Sequence, residues 1–300
     1  MKVGSFDIPH LASNMQGGIK ALPHWVWLCI FAAMAVKVPM VPVHTWLPDA
    51  HVQAPTAGSV ILAGILLKVG GYGMIRVLLQ IFPDASAHFA HYVIYLSIVA
   101  IIYAAFVAMA QSDMKKMIAY SSISHMGYVT AGIFTGTMAG LEGAMFQMLS
   151  HGIVSSGLFL VVGVLYDRMH TKEIDAYGGV AYRMPILATF FMVLMLGSVG
   201  LPGTSGFVGE FMSLVGIFKY KMVLAPLAAF GVVLGAVYML SLYKRVMFGE
   251  ITQPHVKKML DLDFHEIMAL LPLVILVVYV GIQPEGIIGV FRLDVSGLVR

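Results

Sequence analysis

The sequence predicts an all-α integral membrane protein, a bundle of about eight membrane-spanning helices of which two are broken. Of its 300 residues, 59% are hydrophobic and only 11% are charged, whereas roughly 25% are charged in soluble globular chains. Eight apolar stretches approach or exceed the roughly 20 residues that a helix needs to cross a hydrocarbon core. Two of these stretches contain prolines and glycines that interrupt a helical hydrogen-bond ladder.

The predicted transmembrane domain covers 25–287, between an N-terminal surface loop (1–24) and a C-terminal tail (288–300). The loop has no long apolar core, so it is not a cleaved signal peptide. The first span is interrupted by Pro39 and Pro42, and the sixth by a turn that includes Pro202 and Gly203. The spans lie near 25–43, 55–81, 91–110, 116–136, 142–166, 185–219, 223–248 and 266–287.

The basic residues indicate how these spans are oriented. Loops after the odd-numbered spans carry more Lys and Arg than the others, so they are expected on the cytoplasmic or matrix side, with both termini outside. The net charge of +3 is small and forms no continuous basic face, which argues against nucleic-acid binding. The basic residues are Lys115, Lys116, Arg168, Lys172, Arg183, Lys244, Arg245, Lys257 and Lys258.

Two lysines lie where lipid should exclude them. Lys37 is about 18 Å into the first span and Lys68 about 20 Å into the second, counted at the helical rise. A charge at mid-bilayer costs about 2.5–3.5 kcal/mol on insertion scales. Each lysine is therefore either a structural partner of a carboxylate or a proton-binding site, and we expect both to face the protein interior. Burial favours proton release from an ammonium, which suits the second interpretation.

Two histidines lie at similar depth, His125 and His151, each about 14 Å into its span. A membrane histidine beside Ser and Gly often only joins helices by a hydrogen bond. However, an imidazole titrates near neutral pH and can accept a proton on one nitrogen while donating from the other. Nearby polar side chains, which could hold water or simply pack, are Tyr120, Ser121, Ser122, Ser124, Tyr128, Gln147, Ser150, Ser155 and Ser156.

Glu210 follows the break at Gly200 to Gly206 and precedes another apolar run. Freed backbone groups in hydrocarbon must be satisfied by protein or water, so a discontinuous helix is tolerated chiefly beside a cavity. The alternative is a simple turn between two short segments. Two interrupted helices, each with an ionisable residue beside its break, are typical of a repeated transporter architecture.

Redox and metal chemistry have little support in the residues. The single cysteine, Cys29, cannot form an internal disulfide or hold an iron–sulfur cluster alone. His44 and His51 flank Asp49, but their spacing of seven residues is unlike a compact helical ligand pair. We therefore expect no metal site and no resident cofactor in this chain.

Four motifs carry a family resemblance. The longest, Lys37 to Gly73, reads KVPMVPVHTWLPDAHVQAPTAGSVILAGILLKVGGYG. It resembles the proton-pumping, antiporter-like membrane subunits of respiratory complex I, and Ala54 to Ser59 favours the chain 4 or subunit M type. The other motifs, which agree with that type, are Asp113 to Gly127 (DMKKMIAYSSISHMG), Phe146 to Gly152 (FQMLSHG) and Gly200 to Phe211 (GLPGTSGFVGEF).

The resemblance implies an antiporter-like inverted-repeat fold, of which this chain supplies the last eight of about fourteen helices. It implies a proton path through Lys37, Lys68, His125, His151 and Glu210, with Pro39, Pro42, Pro202 and Gly203 at the breaks. The family's upstream glutamate, which pairs with the lysine at Lys37, has no counterpart here. The chain is thus expected to be a fragment, a split-gene product or a shortened form.

The expected function is proton translocation as a subunit of an NADH:quinone oxidoreductase, in a bacterial inner membrane or a mitochondrial one. NADH, FMN, iron–sulfur clusters and quinone are then expected in other subunits. The main alternative is the related subunit of a multisubunit sodium/proton antiporter or of a membrane-bound hydrogenase. A self-contained enzyme with a histidine-ligated metal and a non-transporting structural subunit are the remaining alternatives.

Overall fold

A computed structural model describes residues 23–251, 253–295 and 298, and these form helices joined by turns and loops. Most of the predicted loop 1–24 lies outside the described residues. The helices are α1 His24–Lys37, α2 Trp46–Gln53, α3 Thr56–Leu79, α4 Pro83–Met109, α5 Met114–Phe134, α6 Met138–Met169, α7 Pro185–Val199, α8 Ser205–Tyr220, α9 Leu224–Met247, α10 Pro254–Lys257, α11 Phe264–Ile282 and α12 Glu285–Val295.

The predicted all-α bundle of spans is confirmed, with differences in how single spans are built. Five helices are long and apolar enough to cross a membrane alone, namely α3, α4, α6, α9 and α11. The short apolar helices α1 and α7 end at the predicted breaks. The helix α5 has 21 residues but is less apolar, because its buried face carries serines, Lys115 and His125.

The core forms where α5 and α6 lie surrounded by the other helices. Almost every residue of α5 is buried, and α6 is buried along most of its length. Small residues allow close approach: a Cβ on Gly127 of α5 would lie 2.9 Å from the Ser97 carbonyl oxygen of α4. Such contacts are typical of helix packing in membranes, where close backbones replace the hydrophobic effect.

The first break is present, as Pro39 and Pro42 predicted. The helix α1 ends at Lys37, and turns lead to α2 at Trp46. Two lysines from the basic side then hold the end of α2: Lys172 Nζ donates to the Val52 carbonyl at 2.5 Å and Lys115 Nζ to the Ala54 carbonyl at 2.9 Å. Cations at a helix C-terminus satisfy carbonyls that have no partner within the helix.

The helix α3, which forms the second predicted span, is not regular. It contains two π-helical turns, Leu62–Leu66 and Met74–Leu79, on either side of the α-helical segment that carries Lys68. No residue pattern in the sequence indicated these turns. A π-turn widens the helix by one residue and changes the direction of its side chains.

The second break divides the sixth span into α7 and α8, as predicted. The chain leaves the helix at Gly200 (φ 76°) and turns at Gly203 (φ 92°), in a region of backbone conformation that glycine adopts readily. Glu210 lies on α8, the second half-helix. Helix α8 already begins at Ser205, so the break is slightly shorter than predicted.

The end of the chain differs in form from the predicted tail. Residues 285–295 are helical, and α12 packs against α6. Its apolar side chains Ile287, Ile288 and Phe291 join a cluster with Phe146 and Val280. An amphipathic segment of this kind buries its apolar face on the bundle.

The close contact between α4 and α5 predicts that Gly127→Ala destabilises the fold. The new methyl group would lie 2.7 Å from Ile101 Cγ1 and 2.9 Å from a backbone oxygen, and overpacking of this kind costs typically about 1–3 kcal/mol. Gly289→Ala is the matched control, because its Cβ would meet nothing within 4 Å. Thermal unfolding in detergent should show a lower midpoint only for Gly127→Ala. Equal midpoints would contradict this packing.

Candidate proton-conducting site

The ammonium group of Lys68 points into the bundle. Its Nζ lies 2.7 Å from Nδ1 of His151 on α6 and also donates to the carbonyl oxygen of Ala63, one of the π-turn residues. Both partners can accept a hydrogen bond, and the imidazole nitrogen can also accept a proton. Lys68 is therefore compensated by neutral acceptors, and no carboxylate of the described residues forms an ion pair with it.

His151 connects Lys68 to the middle of the bundle. Its ring is buried and lies 5.6 Å, centroid to centroid, from the ring of His125. Its second nitrogen, Nε2, is buried and has no hydrogen-bond partner among the described residues. An imidazole nitrogen without a partner in a polar cavity is a natural contact for an ordered water.

A small cavity lies where His151 and His125 face each other. It offers 10 Å³ to the centre of a water-sized sphere, which is about the minimum that one water needs. Its lining residues are Ser121, His125, Gln147, Ser150, His151, Val154, Ser155, Leu158, Gly197, Ser198 and Gly206. The break between α7 and α8 thus opens beside a polar cavity, as a discontinuous helix requires.

His125 and Glu210 form the second half of the site. His125 Nδ1 lies 2.6 Å from Glu210 Oε1, and the other ring nitrogen lies 3.2 Å from the hydroxyl of Ser198. The amide of Gln147 donates to the same carboxylate oxygen at 3.2 Å. Both ionisable groups are buried, so their contact compensates for the loss of water.

Close helix packing makes these contacts possible. A Cβ on Gly209 would overlap with Gln147 Oε1, and one on Gly206 would overlap with the Gly197 carbonyl oxygen. Glycine at both positions allows α8 to approach α6 and the end of α7. The Glu210 carboxylate is thereby brought within hydrogen-bond reach of groups on α5 and α6.

Lys37 does not lie where the sequence predicted. It is exposed on the surface of this chain, so the expectation that it faces the interior is wrong for the described residues. The reason is the orientation of α1: Met34 and Val38, one turn apart, pack against Gly70 of α3, which turns Lys37 away. Lys37 nevertheless lies directly before the break.

Several polar groups at the site were missed by sequence reasoning. Ser198 contacts His125, and Ser205 accepts a hydrogen bond from Ser150 at 2.8 Å. Both serines flank the second break, which was the available signal.

His44 and His51 are buried and lack hydrogen-bond partners within the described residues. The ring of His44 lies against that of Tyr103, and the ring of His51 lies against that of Phe159. Among all the residues that the structure describes, no group of three His, Cys, Asp or Glu side chains could hold a metal ion.

This arrangement brings together the groups that proton transfer needs. Lys68, His151, His125 and Glu210 form a line of titratable groups joined by hydrogen bonds of 2.6–2.7 Å and one water-sized gap. Each histidine has one nitrogen toward an ionisable neighbour and the other toward the cavity or Ser198. A proton accepted on one nitrogen can therefore be released from the other.

Comparison with known proteins identifies the family. Residues 2–238 match the family model described as "NADH:quinone oxidoreductase/Mrp antiporter, TM". The chain belongs to this family. That match includes every residue of the line from Lys68 to Glu210.

Relatives agree with this assignment. The NADH-quinone oxidoreductase subunit M of Rickettsia bellii is 60% identical over 99% of this chain, and NADH-ubiquinone oxidoreductase chain 4 of Marchantia polymorpha is 49% identical over 92%. These matches cover 60% and 56% of those proteins, so the chain spans less than two thirds of their length.

A solved structure shares the fold. A chain of respiratory complex I from Thermus thermophilus with bound NADH superposes with a TM-score of 0.89 at 32% identity, covering 99% of this chain and 62% of that one. The antiporter-like helical fold is thus confirmed. With its apolar helices, the chain is a multi-pass protein of the bacterial inner membrane.

The His125–Glu210 contact predicts a double-mutant pattern. Removing the partner of a buried charge so that the charge is left uncompensated typically costs about 3–5 kcal/mol, whereas apolar replacement of both partners can be neutral. His125→Leu should therefore lower the unfolding midpoint strongly. His125→Leu combined with Glu210→Leu should recover most of that loss, measured by thermal unfolding in detergent. Additive losses would show that the two side chains do not interact.

Proposed function

We propose that this chain is a proton-translocating membrane subunit of an NADH:quinone oxidoreductase. The line from Lys68 through His151 and His125 to Glu210 carries this proposal, because ionisable groups are costly inside a membrane and, where they occur there, usually mark an ion or proton pathway. Family membership and the relatives named as subunit M or chain 4 support the proposal that this chain assembles into an NADH:quinone oxidoreductase. Partner subunits would supply the redox chemistry.

Proton transfer along this line conserves charge at every step. Lys68 gives a proton to Nδ1 of His151, and His151 releases the proton on Nε2 to water in the cavity. The water protonates Nε2 of His125, once the Ser198 hydroxyl turns away. His125 then gives its Nδ1 proton to Glu210, which becomes a neutral carboxylic acid and later releases it.

The input to this line is proposed at Lys37, on the surface that the described residues leave uncovered. A carboxylate approaching or leaving Lys37 would change the field at Lys68. Two unit charges 4 Å apart interact by about 4 kcal/mol at an effective dielectric constant of 20. Moving one proton against 100 mV costs about 2.3 kcal/mol, so the energy of one such charge pair at Lys37 exceeds the cost of moving one proton.

Cofactors belong to other subunits in this proposal. The single cysteine cannot hold an iron–sulfur cluster alone, so the clusters are assigned to partner chains. The proposal assigns NADH, FMN and quinone to partner chains as well. This chain then contributes translocation to the enzyme and no redox site. The related sodium/proton antiporter function remains the alternative, and NADH-driven pumping in sodium-free buffer separates the two.

Replacement of Lys68 tests the relay in the assembled complex. Lys68→Ala should remove most NADH-driven proton pumping, measured by a pH-sensitive dye in membrane vesicles, because the line loses its first carrier. Lys68→Arg should fail nearly as badly, since a guanidinium keeps its proton under ordinary conditions. Lys257→Ala, at an exposed site, is the control and should pump normally.

The arginine variant decides between two roles of Lys68. Normal pumping in a fully assembled Lys68→Arg complex would mean that only positive charge is needed there. Lys68 would then be an electrostatic anchor, and the relay would be wrong. Assembly should be checked by native gel and by NADH oxidation with an artificial electron acceptor, which does not depend on the membrane arm.

A further inference from the structure

A buried carboxylate outside this line has one charged partner among the described residues. Glu142, five residues into α6, is 4% exposed, and its Oε1 accepts from Arg292 Nε of α12 at 2.9 Å. Arg292 also contacts the exposed Glu285 at 3.4 Å. The arginine therefore lies between a buried carboxylate and an exposed one, at the side of the bundle where α6 begins.

Helix α12 closes this side of the bundle. Its apolar residues pack on Phe146 of α6, Val280 of α11 and the α8 residues Val208 and Met212. Arg292 is half exposed, with a side-chain exposure of 51%, and its guanidinium covers Glu142. The ion pair is thus a polar contact between α12 and the bundle at the edge of the apolar cluster.

Polar groups lead from Glu210 toward this ion pair. Ser213 lies one turn after Glu210 on α8, on the same helix face, and its buried hydroxyl has no hydrogen-bond partner among the described residues. Its backbone nitrogen would lie 2.5 Å from a Cβ on Gly143, the residue that follows Glu142. Gln147, which contacts Glu210, is five residues from Glu142, or about 7.5 Å along α6.

We propose that Glu142 and Arg292 form the outer gate through which Glu210 releases its proton. This inference rests on the proposed function. The proton passes from the Glu210 carboxylic acid by way of Ser213 and water to the Glu142 carboxylate, which becomes neutral. Arg292 then keeps only Glu285 as an anionic partner and turns outward. Water reaches Glu142, takes the proton, and the restored carboxylate draws Arg292 back.

Thiol labelling tests whether Arg292 closes the route. The parent variant carries Ser213→Cys in a Cys29→Ser background. Its assembled complex, in sealed membranes, is treated from the outer side with a charged methanethiosulfonate that does not cross lipid. Adding Arg292→Gln should speed labelling at least about tenfold, because losing a hydrogen bond between charged groups shifts an opening equilibrium by that order. Adding Arg292→Lys, which keeps the charge, should stay close to the slow parent. Mass spectrometry of the peptide that carries the introduced thiol measures the rate.

Equal labelling in the Arg292→Gln and Arg292→Lys complexes would overturn the gate, since the charge would then not control access. The second test compares Glu142→Gln with Glu210→Gln by the protons pumped per NADH oxidised. Both should lose most pumping. If only Glu210→Gln loses it, the gate is wrong and the proposed function stands; if neither does, the proposed function itself fails. Should Glu142→Gln not assemble, the labelling result alone decides.

Discussion

Charged groups inside a bilayer must find partners within the protein, and the arrangement of this bundle follows from that requirement. Lys68 is compensated by His151 and a π-turn carbonyl, and Glu210 by His125 and Gln147. Ala63 lies on the same helix as Lys68, whereas His151, His125 and Gln147 each lie on a different helix from the charge they compensate. The same contacts that make the charges tolerable therefore also place titratable groups in a line, so stability and proton transfer use one set of hydrogen bonds.

Small residues determine how closely the helices that carry these titratable groups can approach each other. The α6–α8 contact depends on glycines that face Gln147 and the backbone near Ser213. Larger side chains there would separate Glu210 from its partners before any charged residue was changed. In membranes, where lipid is as apolar as a leucine side chain, such close packing is a main source of helix association.

Much of this structure could be predicted from the sequence, because residues that are energetically unfavourable inside a membrane helix mark the breaks and the site. Pro39, Pro42 and Pro202 cannot continue a helix, and the breaks lie beside them; charged residues at mid-bilayer marked Lys68 and Glu210. Prediction failed where orientation matters, because nothing in the residue pattern shows that Lys37 turns away from α3. Ser198 gave only a weak signal, since an isolated serine is as common in packing as in a site. The Glu142–Arg292 contact joins residues 150 positions apart, beyond what one sequence without relatives can indicate.

The two π-turns in α3 have a consequence for how this segment tolerates change. Each accommodates one residue more than a regular helix of the same rise, and one residue corresponds to roughly 100° of rotation about the axis. Deleting a single residue at the first π-turn would therefore convert it to a regular α-turn and leave Lys68 directed at His151. An additional residue inserted before Lys68 could not be absorbed in this way and would point the ammonium away from His151, although the composition would scarcely change. Substitutions among the apolar residues of α3 are mild by comparison. The number of residues in this helix, and not only their types, decides where the ammonium points.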